Sequence, residues 1–267
     1  MTAATERPPI TPGAAPAVAL FVTCLVDLMR PEVGFAALRL LEAAGCRVYV
    51  PRNQTCCGQP AYNSGDYDAT APVARDVIRC LETADHVVVP SGSCAGMLVR
   101  HYPRLLDGTW RERAQALAAR TWELTSFLGA LLPARADDAR PPGDAAPTVA
   151  YHDGCAGLRE LAIHAQPRRL LARAGVAVRD IDQSEVCCGF GGTFCARMPA
   201  ISGKMASDKL EAARRSGTRT LVGGDLGCLL SLAGRASRTG IELDIRHVAE
   251  LLDGRLEAPP IGQPRQS

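Results

Sequence analysis

The chain has few aromatic residues and no long apolar segment. Only 4% of its 267 residues are Phe, Trp or Tyr, so Ala, Val and Leu must build most of any core. The longest apolar stretch, residues 17–26, is too short to span a bilayer. It follows Glu6 and several prolines rather than the basic cluster of an export signal. We therefore expect no direct membrane insertion and a cytoplasmic location.

Blocks of like charge are also missing. The 30 basic and 28 acidic residues nearly cancel, and no long run of one sign occurs, which argues against nucleic acid as a partner. The chain contains no Cys-x-x-Cys pair, the spacing that zinc sites usually use. Cysteine itself is abundant, with 11 residues. In a reducing compartment, many cysteines indicate metal or redox chemistry more often than disulfides.

Eight of these cysteines form a pattern that occurs twice. Each half has a cysteine, a Cys-Cys-Gly triplet that begins 32 positions later, and a further cysteine after a short apolar run. The first set is Cys24, Cys56, Cys57 and Cys94, and the second set is Cys155, Cys187, Cys188 and Cys228. The first three members of each set are related by the same shift of 131 positions. The two halves are therefore copies of one unit.

Proline-bearing and polar segments divide the chain at the ends of these copies. Residues 1–16 are predicted to be a disordered tail, residues 133–147 a linker and residues 254–267 a second tail. Between them lie two cysteine-rich units, residues 17–132 and 148–253.

Apolar runs alternate with helical patterns inside each unit. In the first unit, strands are predicted over 18–22, 48–50 and 86–89, with a helix that begins at Pro31 and a closing helix over 122–132. Strands alternating with helices predict an α/β fold with parallel sheets. We expect two tandem Rossmann-like parallel-sheet units, related by the internal repeat and facing each other as a pseudo-twofold pair.

The cysteines of both sets follow predicted strands, at the sheet edge where ligand sites form in α/β proteins. Thiolates are the ligands that iron–sulfur clusters and zinc select. A Cys-Cys doublet can direct both sulfurs toward one cluster or one zinc ion, but the missing Cys-x-x-Cys pairs favour iron–sulfur. A vicinal disulfide with a thiol-redox role is a further alternative, and it leaves the single cysteines of each set unexplained.

Five further residues have weaker claims to a site. Cys195 is either a fifth ligand of the second site or an incidental buried thiol, and we favour the latter. His152 and Asp153 stand just before Cys155 and would either tune a cluster or shuttle a proton, or, more commonly, cap a helix or hold a loop. Cys46 and Cys80 are predicted to be small buried apolar side chains.

The strings around the two cysteine sets resemble the cysteine-rich CCG domain family. They include Gln-Thr-Cys-Cys-Gly-Gln-Pro-Ala-Tyr-Asn-Ser-Gly at 54–65 and Cys-Cys-Gly-Phe-Gly-Gly-Thr-Phe at 187–194, and the resemblance extends over about 18–252. The domain occurs in heterodisulfide reductase and in the iron–sulfur subunit of glycolate oxidase. The strings are most similar to those of family members that serve L-lactate oxidation.

The resemblance implies an iron–sulfur electron-transfer subunit of an L-lactate (2-hydroxy acid) oxidising complex, an oxidoreductase that does not use NAD. Its implied partners are a ferredoxin-like iron–sulfur subunit and a third small subunit. Each cysteine set would bind a cluster of the 4Fe-4S type, cubane or non-cubane. The alternatives are a cluster-based thiol/disulfide reductase, as in heterodisulfide reductase, and a zinc-stapled, non-catalytic assembly subunit.

The chain departs from the family pattern at two positions. The broader family places a Cys-x-x-Cys motif at the end of each set, and here Ser91 and Asp225 stand at the first of those positions. Each set therefore keeps four cysteines, which is sufficient for an ordinary cubane. Ser91 and Asp225 are candidate oxygen ligands, hydrogen-bond partners of a cluster, or bystanders.

Overall fold

The computed structural model describes residues 15–132, 143 and 146–264. The predicted tail over 1–16 lies outside these residues except for its last two positions, as does most of the predicted linker over 133–147. The second predicted tail, 254–267, is described as far as residue 264. Within it, Ile261 is buried and its N–H donates to the Ile245 carbonyl at 2.8 Å. This segment therefore packs along the edge of the second sheet.

Each unit contains a parallel sheet of four strands. The strands are β1 Ala17–Leu20, β2 Arg47–Tyr49, β3 His86–Val89 and β4 Thr121–Glu123 in the first unit, and β5 Thr148–His152, β6 Ala177–Asp180, β7 Thr220–Gly223 and β8 Asp244–His247 in the second. Their orders, β2-β1-β3-β4 and β6-β5-β7-β8, are the same topology. Every pairing is parallel. The predicted α/β class and the tandem repeat are confirmed.

Helices connect the strands and cover the sheets. In the first unit they are α1 Cys24–Met29, α2 Pro31–Ala43, α3 Gln59–Asn63, α4 Tyr67–Leu81, α5 Gly92–Gly96, α6 Tyr102–Leu105, α7 Gly108–Arg120 and α8 Leu124–Leu131, with a π-helical turn, Met97–His101, between α5 and α6. In the second unit they are α9 Cys155–Leu161, α10 Ala165–Arg173, α11 Phe194–Arg197, α12 Pro199–Arg215, α13 Leu226–Thr239 and α14 Val248–Asp253. Among the described residues, each helix is too short or too polar to span a bilayer.

Helix α2 shows how the sequence sets these elements. Pro31 occupies its first turn, where a missing N–H costs no hydrogen bond. Val33, Ala37 and Leu41 are fully buried along one face, and burial of a side chain such as Leu contributes about 1.5–3 kcal/mol. Gly45 follows the helix with φ 85°, the left-handed conformation that glycine adopts readily. The predicted start and stop of this helix are confirmed.

The closing segment of the first unit differs from its prediction. Residues Thr121–Glu123 form strand β4, paired with β3 in the register Val87 to Thr121, and the helix begins only at Leu124. The Glu123 carboxylate caps α8, because it accepts hydrogen bonds from the backbone of Thr125 at 2.9 Å and Ser126 at 3.1 Å. The predicted helix over 122–132 was therefore wrong at its start. A strand of three residues is too short to show an alternating pattern.

The two units pack together by the same contacts in both directions. Helix α2 packs on α14, and α10 packs on α8. Because α10 repeats α2 and α14 repeats α8, these are one contact made twice, as a pseudo-twofold arrangement requires. Helices α5 and α9, and likewise α1 and α13, form a second reciprocal pair of contacts nearer the cysteines.

Buried charge reinforces this interface. Arg30 of the first unit and Glu250 of the second approach to 2.6 Å with side chains that are 8% and 3% exposed. Arg39 donates to both carboxylate oxygens of Asp253. Breaking a buried pair by removing one partner leaves an uncompensated charge and costs about 3–5 kcal/mol. The relative position of the units is therefore specified by ion pairs as well as by apolar packing.

Candidate metal centre

The first cysteine set converges at the carboxyl edge of the first sheet. Cys24 begins α1 after β1, the doublet Cys56-Cys57 lies in the loop after β2, and Cys94 lies in α5 after β3. The Sγ atoms of Cys24 and Cys56 are 3.6 Å apart, and those of Cys57 and Cys94 are 3.3 Å apart. Four thiols from three strand ends thus meet in one place, as the sequence predicted for this edge.

The second set repeats this arrangement. The Sγ atoms of Cys155 and Cys187 are 3.8 Å apart, and the thiols of Cys188 and Cys228 also contact each other. Cys188 and Cys228 are buried, whereas the other two are partly exposed. The members occupy the corresponding elements, with Cys155 at the start of α9 and Cys228 in α13. The chain therefore contains two thiol quartets, which we call the first and second quartet.

A glycine follows each Cys-Cys doublet because the turn requires a left-handed backbone conformation at that position. Gly58 and Gly189 have φ values of 82° and 86°, in the left-handed region. The Gly58 N–H donates to Cys56 Sγ at 3.4 Å, and the Gly189 N–H donates to Cys187 Sγ at 3.3 Å. A Cβ on Gly189 would lie 2.8 Å from the Ser202 carbonyl oxygen. The turn thus directs one backbone N–H at a sulfur of each quartet.

Contacts between the thiols of each quartet shift the pKa values of those thiols. In the first quartet, a hydrogen bond from Cys24 and a second from Cys57 lower the pKa of the Cys56 thiol. The same bond, with burial, raises the pKa of Cys24. The second quartet behaves alike, since Cys155 lowers the pKa of Cys187 and has its own pKa raised. In each quartet one thiol thus stabilises the thiolate of its neighbour, which is the form that binds a metal.

Ser91 and Asp225, the two departures from the family pattern, contact each other. The Ser91 hydroxyl donates to Asp225 Oδ2 at 3.1 Å, and the Ser93 N–H donates to the same oxygen at 2.8 Å. Ser91 Oγ also accepts from the Cys94 N–H at 3.3 Å, which caps the start of α5. These oxygens lie between the units and beside the first quartet.

The remaining cysteines are held by other contacts. The Cys195 thiol donates to the Gly192 carbonyl oxygen at 3.3 Å. Cys46 packs in the apolar core that contains Val18 and Leu41, where burial raises its pKa to about 11. Cys80 packs at the margin of a second apolar core, and burial raises its pKa also.

His152 and Asp153 take different roles. Asp153 forms a two-bond ion pair with Arg168, at 2.8 Å for each bond. His152 is 1% exposed, and a ring nitrogen lies within 4.8 Å of the sulfurs of Cys188 and Cys228. Neither of its ring nitrogens has a hydrogen-bond partner in the described structure, which for a buried polar atom costs about 1–3 kcal/mol. Burial lowers the pKa of His152 to about 4, so the imidazole is neutral at pH 7.

A cavity of about 160 Å³ lies between the units and reaches the first quartet. The first unit contributes Cys24, Cys56, Cys57, Cys94, Gln59 and Ser93, and the second contributes Phe190, Thr193, Asp225 and Leu226. No local pattern in the sequence signals the residues that the second unit adds here, because they reach the first quartet only when the units dock.

The donor set fits an iron–sulfur centre or zinc and does not fit a hard cation. Each quartet offers four sulfurs, the soft ligands that iron–sulfur clusters and zinc take, whereas magnesium and calcium take oxygen. His152 adds a neutral imidazole, which also suits zinc and iron. Backbone N–H groups directed at Cys56 and Cys187 offset the negative charge of sulfur. The residues present therefore fit the group that the resemblance implies.

Comparison with known proteins identifies the class of this fold and site. The family model described as a cysteine-rich domain, CCG, matches residues 18–99 and 149–233. The match falls once in each unit. The protein is thus a tandem cysteine-rich domain protein of the CCG type.

Relatives that match over most of the chain identify the family within this class. The chain is 43% identical to lactate utilization protein A of an Exiguobacterium species, over 89% of this chain and 97% of the relative. It is 41% identical to lactate utilization protein A of Bacillus pumilus, over 89% of this chain and 99% of that protein. The chain belongs to the lactate utilization protein A family.

A solved structure gives a much weaker likeness. The crystal structure of a putative Asp/Glu racemase from Yersinia pestis aligns with a TM-score of 0.36 and 8% identity, over 89% of this chain and 96% of that chain. A likeness at this level supports neither a fold assignment nor a racemase activity.

Proposed function

We propose that the chain is an iron–sulfur electron-transfer subunit of an L-lactate-oxidising complex. The observation that carries this proposal is the duplicated convergence of four cysteine sulfurs, with contacts of 3.3 Å and 3.6 Å in the first unit and 3.8 Å in the second. The curated relatives are named for lactate utilization. Two clusters in one chain would give electrons a path between two partners.

The eight cysteines of the two quartets would hold the clusters. A 4Fe-4S cluster accepts and releases single electrons when bound by four cysteine thiolates. Four cysteines per unit favour a cubane, with a non-cubane cluster as the alternative. Ser91 and Asp225 already hydrogen-bond each other, so we place them beside the first cluster rather than among its ligands. Buried Cys57 and Cys94 would keep water from one side of that cluster.

The chain would act with other subunits. We propose a ferredoxin-like iron–sulfur subunit and a third small subunit as its partners, with the complex in the cytoplasm. A second candidate function is cluster-based reduction of a disulfide. The cavity of about 160 Å³ beside the partly exposed Cys24 and Cys56 favours this alternative, because a small disulfide would meet a cluster edge there.

The lactate role is tested by reduction of the clusters. The tagged chain is isolated anaerobically from its source cells with its bound subunits, and the visible absorption of the clusters is followed. We expect L-lactate to bleach this absorption, and D-lactate and glycolate to leave it unchanged. If dithionite bleaches the clusters and L-lactate does not, the lactate role is wrong although the clusters are present. A change produced instead by a small disulfide would favour the reductase.

A further inference from the structure

The two quartets differ by one nitrogen donor. The shift of 131 positions that relates Cys24 to Cys155 places Phe21 in the first unit where His152 stands in the second. Phe21 is 1% exposed and offers no donor atom, so the first quartet has only sulfur on this side. His152 brings a ring nitrogen within 4.8 Å of two sulfurs of the second quartet. The two copies of the repeat therefore differ at a residue that lies beside the quartet.

The strand beside His152 carries a glycine at the paired position. His152 pairs with Gly223 across β5 and β7. A Cβ on Gly223 would lie 3.1 Å from Leu229 Cδ2, 3.3 Å from the His152 carbonyl oxygen and 3.7 Å from the His152 Cβ. In the first unit, the position that corresponds to Gly223 is Val89, by the shift of 134 positions that relates Cys94 to Cys228. The two copies thus differ at both members of this strand pair, with Phe21 and Val89 in the first unit and His152 and Gly223 in the second.

The imidazole has no other partner to explain its place. His152 ends an interior strand, at the sheet edge where ligand sites form. Both ring nitrogens are buried and without a hydrogen bond in the described structure. The ligand atoms of His152, Cys188 and Cys228 all lie within 4.8 Å of one another, close enough to share a metal ion. Imidazole is an established ligand of iron and zinc in its neutral form.

We propose that His152 is a nitrogen ligand of the cluster in the second unit. This inference rests on the proposed function, since it takes that cluster to be iron–sulfur. The first centre would then have sulfur ligands alone, and the second a mixed set of sulfur and imidazole. His152 would be a fifth ligand of that cluster, beside the four cysteines of the second quartet.

The test uses the full chain labelled with ¹⁵N-histidine and purified anaerobically. The variant Cys57→Ser removes the first centre, so that the paramagnetic signal comes from the second alone. Pulsed electron–nuclear double resonance then detects histidine nitrogen bonded to the cluster. We expect a strong ¹⁵N coupling that is lost in His152→Phe. The matched control is His86→Phe. His86 is the first residue of β3, at the end of the strand away from the cysteines, and its ring contacts Phe127. It should keep the coupling.

The outcomes separate this inference from the proposed function. A cluster with iron and sulfide but no ¹⁵N coupling overturns the role of His152 and leaves the electron-transfer function intact. Zinc without sulfide overturns the proposed function, and the inference with it. His152→Phe is expected to fold, since Phe21 fills the same position in the first unit. If it does not fold, His152→Gln takes its place, and a coupling that persists in that variant overturns the inference.

Discussion

Asp225 of the second unit accepts a hydrogen bond from Ser91 of the first, at 3.1 Å between Oδ2 and Oγ. Each residue stands three positions before the last cysteine of its own quartet, so they are equivalent positions of the repeat. Equivalent residues meet only near a twofold axis, and this contact therefore lies close to the pseudo-twofold axis. Two carboxylates would repel each other here, whereas a hydroxyl and a carboxylate pair. The two copies of the repeat thus differ at the position where they contact each other.

Replacing Asp225 should weaken the docking of the units. Asp225→Ala leaves the Ser91 hydroxyl and the Ser93 N–H without their acceptor. Removing one partner of such buried hydrogen bonds costs about 1–3 kcal/mol. We expect this loss in the free energy of unfolding, measured by urea denaturation under argon. Asp182→Ala is the control, since the Asp182 side chain is 75% exposed. Equal stabilities of the two variants would contradict this role of Asp225.

Ser91→Ala distinguishes a helix cap from a cluster ligand. Ser91 Oγ accepts from the Cys94 N–H at 3.3 Å, and loss of a serine cap costs about 0.5–2 kcal/mol. We expect lower stability with full iron content and an unchanged electron paramagnetic resonance spectrum. A changed spectrum or lost iron would show instead that Ser91 binds the cluster.

Single serine substitutions should each remove one centre. Cys57 belongs to the first quartet and Cys188 to the second, and they occupy equivalent positions of the repeat. We therefore expect Cys57→Ser and Cys188→Ser each to retain about half of the iron. Cys80→Ser, a cysteine outside both quartets, should retain all of it. The assignment fails if both quartet variants keep their full iron, measured per chain after anaerobic purification.

The glycine of the second triplet should be more sensitive than an ordinary left-handed glycine. Gly189→Ala places a Cβ 2.8 Å from the Ser202 carbonyl oxygen, at φ 86°. Gly175→Ala has a similar φ of 75° but no atom within 4 Å of the new Cβ. Both variants carry the cost of a left-handed backbone conformation, about 1–2 kcal/mol for a residue with a Cβ, and Gly189→Ala adds the clash. We expect only Gly189→Ala to lose iron from the second centre, and similar iron in both would contradict this.

The sequence was sufficient to predict the two-copy plan because the cysteine spacings repeat over long distances. Helix α2 was also predictable, since Pro31 and Gly45 mark its ends. The strands β4 and β8 were not predicted, because three or four residues that run directly into a helix show no pattern of their own. Pairing with a neighbouring strand, a tertiary effect, decides their conformation.

The convergence of the cysteines was predictable from the sequence, and that of the other groups was not. The contact of Ser91 with Asp225 forms only when the units dock, so no local pattern indicates it. His152 carried a weak signal, because it lies three positions before Cys155. Comparing the copies residue by residue would have strengthened that signal, since Phe21 stands at the matching position. A difference inside a repeat marks a residue that the common fold does not require.

The proposed function requires that each quartet binds an iron–sulfur cluster. The most direct test measures iron, sulfide and zinc per chain after anaerobic purification, with electron paramagnetic resonance on the same sample. Two 4Fe-4S clusters predict about eight iron and about eight sulfide per chain, with little zinc. The spectrum of the reduced sample would then tell a cubane from a non-cubane cluster. Zinc without sulfide, in protein made under iron-replete conditions, would contradict the account and indicate a zinc-stapled assembly subunit.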